Sequence, residues 1–398
     1  MQRGFEGSPA EVFRVFLKLG LTSFGGPVAH IGYFRSEFVA RRKWIPDDTF
    51  ADLLALCQFL PGPASSQLGI AIGTCRAGYL GGLAAWIAFT LPSAVALVLF
   101  ALGLGYFGST LDQGWLHGLK VAAVAVVALA VLGMARTLAP DRLRATLAVV
   151  AMVVTLALPS ALGQILAIVI GALIGIALLS SDAPRDHVSL PPTVGRTGGV
   201  VALAMFFVLL AGLPIIAAAT GSQAIKLFDT FFRAGSLVFG GGHVVLPLLQ
   251  TAVVPPGWVS NDAFLAGYGA AQAVPGPLFT FAAYLGAMMA SAPNGWAGAA
   301  LCLGAIYLPS FLLVFGVLPF WDAVRRKAIV QAALMGINAA VVGLLLAALY
   351  NPVWTAGILN GRDFALAACA FLLLFLWKIP PWVVVFLCGI GGALLGMP

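Results

Sequence analysis

The sequence has very little charge. Only 9% of its 398 residues are Asp, Glu, Lys or Arg, whereas 61% are hydrophobic, and the mean hydropathy is +1.03. A soluble domain carries about 25% charged residues to cover its surface. The composition therefore excludes an ordinary soluble globule and predicts an all-α, polytopic membrane protein, because helices satisfy their own backbone hydrogen bonds in lipid.

Signatures of catalysis and of cofactors are also missing. The chain has no GxxxxGK[ST] nucleotide loop, no HExxH, no Cys/His cluster and no GxSxG on a strand–turn–helix pattern. Its five cysteines lie scattered in apolar runs without CxxC spacing. We expect no enzyme, no bound metal and no other cofactor. The net charge of +7 comes from short loops beside apolar runs, which predicts membrane topology and not binding to nucleic acid.

Four motifs occur twice, in the same order. They are FLKLGLTSFGG (16–26) and FFRAGSLVFGG (231–241), the stretches ending in PGP (44–63 and 258–277), LPS (91–93 and 308–310), and GLKVAAV (118–124) and GINAAVV (336–342). This order predicts a duplication. We assign a first half, residues 1–180, and a second half, residues 224–398. Residues 181–223 form a polar linker and one extra transmembrane helix.

Loop charges predict that the second half is inverted. The loop 35–43 is basic, whereas its counterpart 251–262 has no Lys or Arg. The loop 107–116 has no Lys or Arg, whereas its counterpart 320–328 contains Arg325, Arg326 and Lys327. The loop 136–144 contains three arginines, whereas its counterpart 351–362 contains one. Since basic loops stay in the cytoplasm, corresponding loops lie on opposite sides, as in inverted-topology repeats.

The same bias predicts that two segments of each half re-enter the membrane. Residues 9–42 and 48–77 both begin and end near basic residues, and each is interrupted midway, at SFGGP and LPGP. Re-entrant helical hairpins give about nine crossings and four hairpins, whereas full crossings give up to about thirteen spans. Both counts preserve the inversion.

A break inside a membrane helix exposes backbone N–H groups and a partial positive charge, which suits an anion. Inversion would bring the breaks of both halves together near the midplane. The predicted anion-binding residues are the cations, hydroxyls, amides and glycines at the breaks: Lys18, Thr22, Ser23, Gly25, Gly26, Gln58, Gly62, Ser65, Ser66, Arg233, Gly240, Gly241, Gln272 and Gly276.

Several of these residues have alternative interpretations. Lys18 and Arg233 occupy corresponding positions and either supply countercharge or extend to the membrane interface. The paired Gln58 and Gln272 either contact the substrate or tie down the hairpins. His30 and His243 follow the breaks, where imidazole could carry a coupled proton, although packing or capping is the simpler role.

These motifs resemble a known family. FLKLGLTSFGGPVAHIGYFRSEFVARRKW, LLALCQFLPGPASSQLGIAIG, RAGYLGG and FTLPS, with FRAGSLVFGGGHVVLPLL and AQAVPGP in the second copy, are similar to the chromate ion transporter family in its two-domain form. The resemblance covers nearly the whole chain. It places functional residues at Lys18, Phe24, Gly25, Gly26, Pro27, His30, Gln58, Pro61, Gly62, Pro63, Gln67 and Arg76.

The resemblance implies secondary, gradient-driven export of chromate across the bacterial inner membrane, which confers chromate resistance. The expected partners are a sulfate-like oxyanion and the lipid bilayer, and a homodimer is left open. Transport of sulfate or another oxyanion, a passive anion channel, a membrane enzyme and a non-transporting scaffold are the alternatives. Gly242 stands where the first half has Pro27, so unequal contributions from the two halves are expected.

Overall fold

The computed structural model describes residues 7–107, 113–179, 194–324 and 327–394. Within these ranges all regular secondary structure is helical, which confirms the all-α class. Six of the described helices are long and apolar enough to cross a membrane, and the polytopic prediction is confirmed. Linker residues 180–193, with Arg325 and Arg326 of the basic loop, lie outside the described residues.

The helices follow one another with short connections. In the first half they are α1 (Pro9–Thr22), α2 (Gly26–Phe34, continued by a π-helical stretch Arg35–Arg41), α3 (Asp47–Phe59), α4 (Ala64–Phe107), α5 (Gln113–Leu138), α6 (Arg142–Ala157) and α7 (Ala161–Leu178). The extra helix is α8 (Arg196–Thr220).

The second half follows α8. Its helices are α9 (Gln223–Leu237), α10 (Val245–Val253), α11 (Asn261–Ala271), α12 (Phe281–Ala287), α13 (Gly295–Val317), α14 (Trp321–Val324), α15 (Ala328–Ala348), α16 (Thr355–Gly357), α17 (Gly361–Phe375) and α18 (Pro381–Leu394).

The interrupted segments of the first half return to the side on which they start. Arg76, at the end of the second segment, lies 3.3 Å from the Glu11 carboxylate at the start of the first segment. Its guanidinium also lies 5.1 Å from the ring centroid of Trp44, between the two segments. In the second half, the N–H of Ala290 donates to the carbonyl of Trp258, the counterpart of Trp44, at 2.9 Å. These contacts describe hairpins that re-enter.

A sharp kink in α4 separates the second hairpin from the crossing that follows. Ala77 and Gly78 leave helical geometry, and Gly78 adopts a φ of 68°, which favours glycine. The chain then folds back so closely that a Cβ at Gly73 would collide with the carbonyl oxygen of Gly81. Residues 64–76 therefore belong to the hairpin, and residues 79–107 form a separate crossing.

The two halves interlock through glycine contacts. Helix α5 packs against α17 and α18 of the second half, and its counterpart α15 packs against α6 and α7 of the first. A Cβ at Gly118 would collide with the carbonyl oxygen of Cys388, and one at Gly336 with that of Gly171. Small residues allow such approach in lipid, where close packing replaces the hydrophobic effect as the driving force.

This packing predicts different outcomes at two glycines of α5. Gly118→Ala should lower the thermal stability of the detergent-purified protein, because overpacking a close helix contact costs about 1–3 kcal/mol. Gly133→Ala is the matched control, since nothing lies within 4 Å of a Cβ built there. We expect the control to melt at or above the wild-type temperature, and equal melting of the two variants would contradict the account.

Candidate functional site

Two backbone hydrogen bonds join the tips of the two halves. The N–H of Gly62 donates to the carbonyl of Val238 at 2.6 Å, and the N–H of Gly276 donates to the carbonyl of Ser23 at 2.9 Å. In the matched motifs Gly62 corresponds to Gly276 and Ser23 to Val238. Each PGP tip therefore binds the break of the opposite half. We call Ser23–Gly26 the first break and Val238–Gly241 the second break.

The LPS motifs complete this arrangement. Gly62 and Gly276 have φ values of 126° and 96°, which favour glycine. A Cβ at Gly62 would lie 2.9 Å from Ser310 Oγ, and one at Gly276 would lie 2.9 Å from Ser93 Oγ. Ser93 and Ser310 end the two LPS motifs, so three of the four repeated motifs meet at one place.

A buried polar cluster lies at this junction: Ser23, His30, Ser65, Gln67 and Ser310. All five side chains are at most 2% exposed. His30 Nε2 lies 3.2 Å from the carbonyl oxygen of Ser23, and Nδ1 lies 3.4 Å from Ser65 Oγ. The Gln67 amide donates to the carbonyl of Pro61 at 2.7 Å.

Part of the hydrogen-bonding capacity of this polar cluster is unused. Within the part of the chain that the structure describes, Ser23 Oγ, Gln67 Oε1 and Ser310 Oγ are buried and make no hydrogen bond. A buried polar group without a partner costs about 1–3 kcal/mol. The two hydroxyls can donate to an oxyanion, whereas Gln67 Oε1 can accept from water or from a protonated oxyanion.

The two breaks differ in access. At the first break, Gly25 is exposed and precedes α2 with no side-chain cap, and nothing lies within 4 Å of a Cβ built at Gly26. At the second break, a Cβ at Gly240 would lie 3.0 Å from Leu138 Cδ1 and 3.4 Å from Met134 Cε. Helix α5 thus covers the second break and leaves the first open.

The structure divides the predicted site residues by exposure. Lys18, Thr22, Gly25 and Gln58 are exposed, Ser23, Gly62, Ser65 and Ser66 are buried, and Gly26, Arg233, Gly240, Gly241, His243, Gln272 and Gly276 are partly buried. The Thr22 hydroxyl is engaged in a 2.8 Å bond to the carbonyl of Lys18. Among the described residues, the buried amide nitrogen of Gln272 makes no hydrogen bond.

The paired cations and the two histidines have unlike surroundings. Lys18 lies on an exposed face of α1, whereas Arg233 makes a 2.8 Å ion pair with Asp229 on its own helix. His30 belongs to the buried polar cluster. His243 Nδ1 lies 2.8 Å from the Tyr268 hydroxyl, within the second half.

One ion pair and one buried histidine–carboxylate contact join the halves near the ends of helices that the loop charges place outside. Lys120 Nζ lies 3.0 Å from Asp262 Oδ1, and His117 Nε2 lies 3.2 Å from Asp363 Oδ1 with both side chains fully buried. His117, Lys120 and Asp262 line a cavity of about 460 Å³. The ion pairs Arg76–Glu11 and Arg35–Asp47, which the charge bias places inside, stay within the first half.

Sequence reasoning missed the roles of Ser93 and Ser310 and the His117–Asp363 pair. The repeated LPS motif was a usable signal for the serines, since its recurrence is visible in the amino-acid sequence alone. The His117–Asp363 contact has no counterpart in the repeat and joins residues far apart in sequence, so no pattern pointed to it.

Comparison with known proteins gives a consistent result. The chromate transporter family profile matches residues 10–176 and again residues 225–393. The chain is 30% identical to a chromate transport protein of Pseudomonas aeruginosa, over 97% of this chain and 92% of that protein. It is 27% identical to one of Cupriavidus metallidurans, over 96% of this chain and 91% of the relative. No solved structure matches the chain.

The unused hydroxyl of Ser310 gives a test that separates binding from folding. Ser310→Ala should leave the melting temperature unchanged or raise it, because an unsatisfied buried group is removed. It should raise the dissociation constant of a tetrahedral dianion, with sulfate as the probe, by roughly 5–10-fold, because a lost hydrogen bond costs about 1–1.5 kcal/mol of binding free energy. Calorimetry on the purified protein measures both quantities.

Ser236→Ala is the matched control, because Ser236 is a buried serine whose hydroxyl already donates to the carbonyl of Phe232 at 2.8 Å. The control should retain sulfate affinity. Unchanged affinity in Ser310→Ala would remove this hydroxyl from the site.

Proposed function

The chain belongs to the chromate transporter family, and we propose that it is a secondary transporter that exports chromate across a bacterial inner membrane by alternating access. Such export would confer chromate resistance. The observation that carries this proposal is the junction of the PGP tips and breaks, with its unused buried hydroxyls beside an uncapped helix N-terminus. The relatives are named transport proteins, which agrees with a protein that is not an enzyme.

The two halves act, in this proposal, as inverted repeats that rock about the junction. The exposed Lys18, Thr22, Gly25 and Gln58 lie on the re-entrant hairpins, where polar groups require water and not lipid. We assign them to an aqueous vestibule that opens to the cytoplasm. The Lys120–Asp262 ion pair and the His117–Asp363 contact join the halves on the outer side, which supports assigning this arrangement to an inward-open state.

The anion is received by dipoles and one accessible cation. The N-terminus of α2 offers free N–H groups at the first break, and Lys18 supplies positive charge on the helix that leads to it. Ser23 and Ser310 supply hydroxyls deeper in the junction. Arg233 is already paired with Asp229. The second half therefore contributes backbone and hydroxyl groups to the site, and no free positive charge from Arg233.

The geometry of the junction bears on two alternatives, a carrier of another oxyanion and a passive anion channel. Chromate and sulfate are tetrahedral dianions of similar shape, so a site of hydroxyls and backbone N–H groups favours an oxyanion carrier in general. A passive channel would need a continuous aqueous path, whereas the buried polar cluster and the two backbone bonds close the junction. For proton coupling, His30 is the better placed histidine, because its ring contacts Ser23 and Ser65 at the junction.

Lys18→Gln tests the assigned cation. In proteoliposomes, the concentration of chromate at half-maximal flux should rise roughly 10–100-fold, because a hydrogen bond to a charged group contributes about 1.5–3 kcal/mol. Flux is measured with an imposed pH gradient and with sulfate as competitor. The matched control Arg14→Gln, an exposed cation one turn earlier on α1, should change it much less.

If both variants weaken flux equally, the effect is general electrostatic attraction and Lys18 is not part of the site. Wild-type flux of sulfate without chromate would keep the carrier but change its substrate. Wild-type flux of neither anion would overturn the proposed function.

The outer ion pair gives a test of alternating access. Lys120→Cys with Asp262→Cys, bridged by a short bifunctional thiol reagent in a Cys369→Ser background, should abolish flux, and cleavage of the bridge should restore it. Arg35→Cys with Asp47→Cys is the control, because it bridges two elements within the first half. Full flux through the bridged outer pair would contradict rocking about the junction.

A further inference from the structure

A groove on the membrane-facing surface lies between α5 and α17. It has a volume of about 340 Å³ and an apolar lining. Its lining includes four alanines, Ala125, Ala128, Ala367 and Ala368. Trp354 and Phe364 line one end. The stacked rings of Phe371 and Phe375, with centroids 5.6 Å apart, line the other end.

The groove has the length of a lipid chain. From Phe364 to Phe375 helix α17 rises about 17 Å at 1.5 Å per residue. One leaflet of a bilayer contributes about 15 Å of hydrocarbon. An acyl chain of ordinary length therefore fits along the groove, with its polar end at one of the two helix ends.

Two cations converge on the Phe375 end of the groove. Arg136, near the end of α5, places its guanidinium 5.5 Å from the ring centroid of Phe375, and Lys378, in the α17–α18 connection, places its ammonium 5.2 Å from the same ring. Neither makes an ion pair among the residues that the structure describes. The neighbouring Trp377 is 70% exposed, as suits the membrane interface.

We propose that this groove binds an anionic phospholipid of the cytoplasmic leaflet, with its phosphate on Arg136 and Lys378 and one acyl chain along α5 and α17. The loop charges place this end of both helices in the cytoplasm, where anionic headgroups attract basic residues. The lipid would join α5 of the first half to α17 of the second. This site is separate from the junction and does not depend on the transported anion.

The test is native mass spectrometry of the delipidated, detergent-purified full-length protein titrated with phosphatidylglycerol or phosphatidylcholine. Wild type should prefer phosphatidylglycerol by about 30-fold for one bound lipid, as expected for two interfacial cations. Arg136→Gln with Lys378→Gln should lose this preference. Arg142→Gln with Arg196→Gln, which replaces exposed cations at the starts of α6 and α8 outside the groove, is the charge-matched control and should keep it.

A second variant tests the groove without changing charge. Ala368→Trp places a large side chain at an exposed position of the lining and should displace both lipids from this site. Equal binding of the two lipids to wild type, or retained preference in the double variant, would overturn the proposal. Displacement of phosphatidylglycerol by millimolar inorganic phosphate would also overturn it, because the site would then be one for free phosphate.

Discussion

Every backbone N–H and C=O group at membrane depth needs a partner, and the rest of this structure follows from how that need is met at the two breaks and the two PGP tips. The break of one half binds the PGP tip of the other, through Gly62 to Val238 and Gly276 to Ser23. Each half therefore lacks a complete interior without its counterpart. Because the tips must approach within hydrogen-bond distance of the breaks, glycine is required there, and the LPS serines fill the remaining space.

The same constraint leaves room for function because the two breaks are not covered equally. Met134 and Leu138 of α5 lie over the second break, whereas Gly25 at the first break is exposed, α2 begins there without a side-chain cap, and the exposed Lys18 lies on α1 before it. On the side that the loop charges place outside, the Lys120–Asp262 ion pair and the His117–Asp363 contact join the halves. Alternating access requires two similar halves in unlike conformations. If the halves exchange these conformations, the site opens to the other side of the membrane.

Much of this architecture could be predicted from sequence, because it depends on residues that recur. Repeated PGP and GG motifs indicated where helices break, and loop charges indicated that the broken segments return, as Arg76 beside Glu11 and Trp44 now shows. What could not be predicted depends on side-chain surroundings. Corresponding positions suggested that Lys18 and Arg233 act alike, but Asp229, one turn from Arg233, engages only the latter. The buried His117–Asp363 pair joins helices whose contact arises only from the interlocked packing.

We infer that an oxyanion binds where the tips and breaks of the two halves meet. The most direct measurement is an anomalous diffraction map, recorded at the chromium absorption edge, of crystals of the protein soaked in chromate. We expect one strong chromium peak beside the first break, within hydrogen-bond reach of α2 backbone N–H groups and of the Ser23 or Ser310 hydroxyl. A peak elsewhere in the protein, with none at the junction of a protein that shows saturable chromate flux, would contradict it.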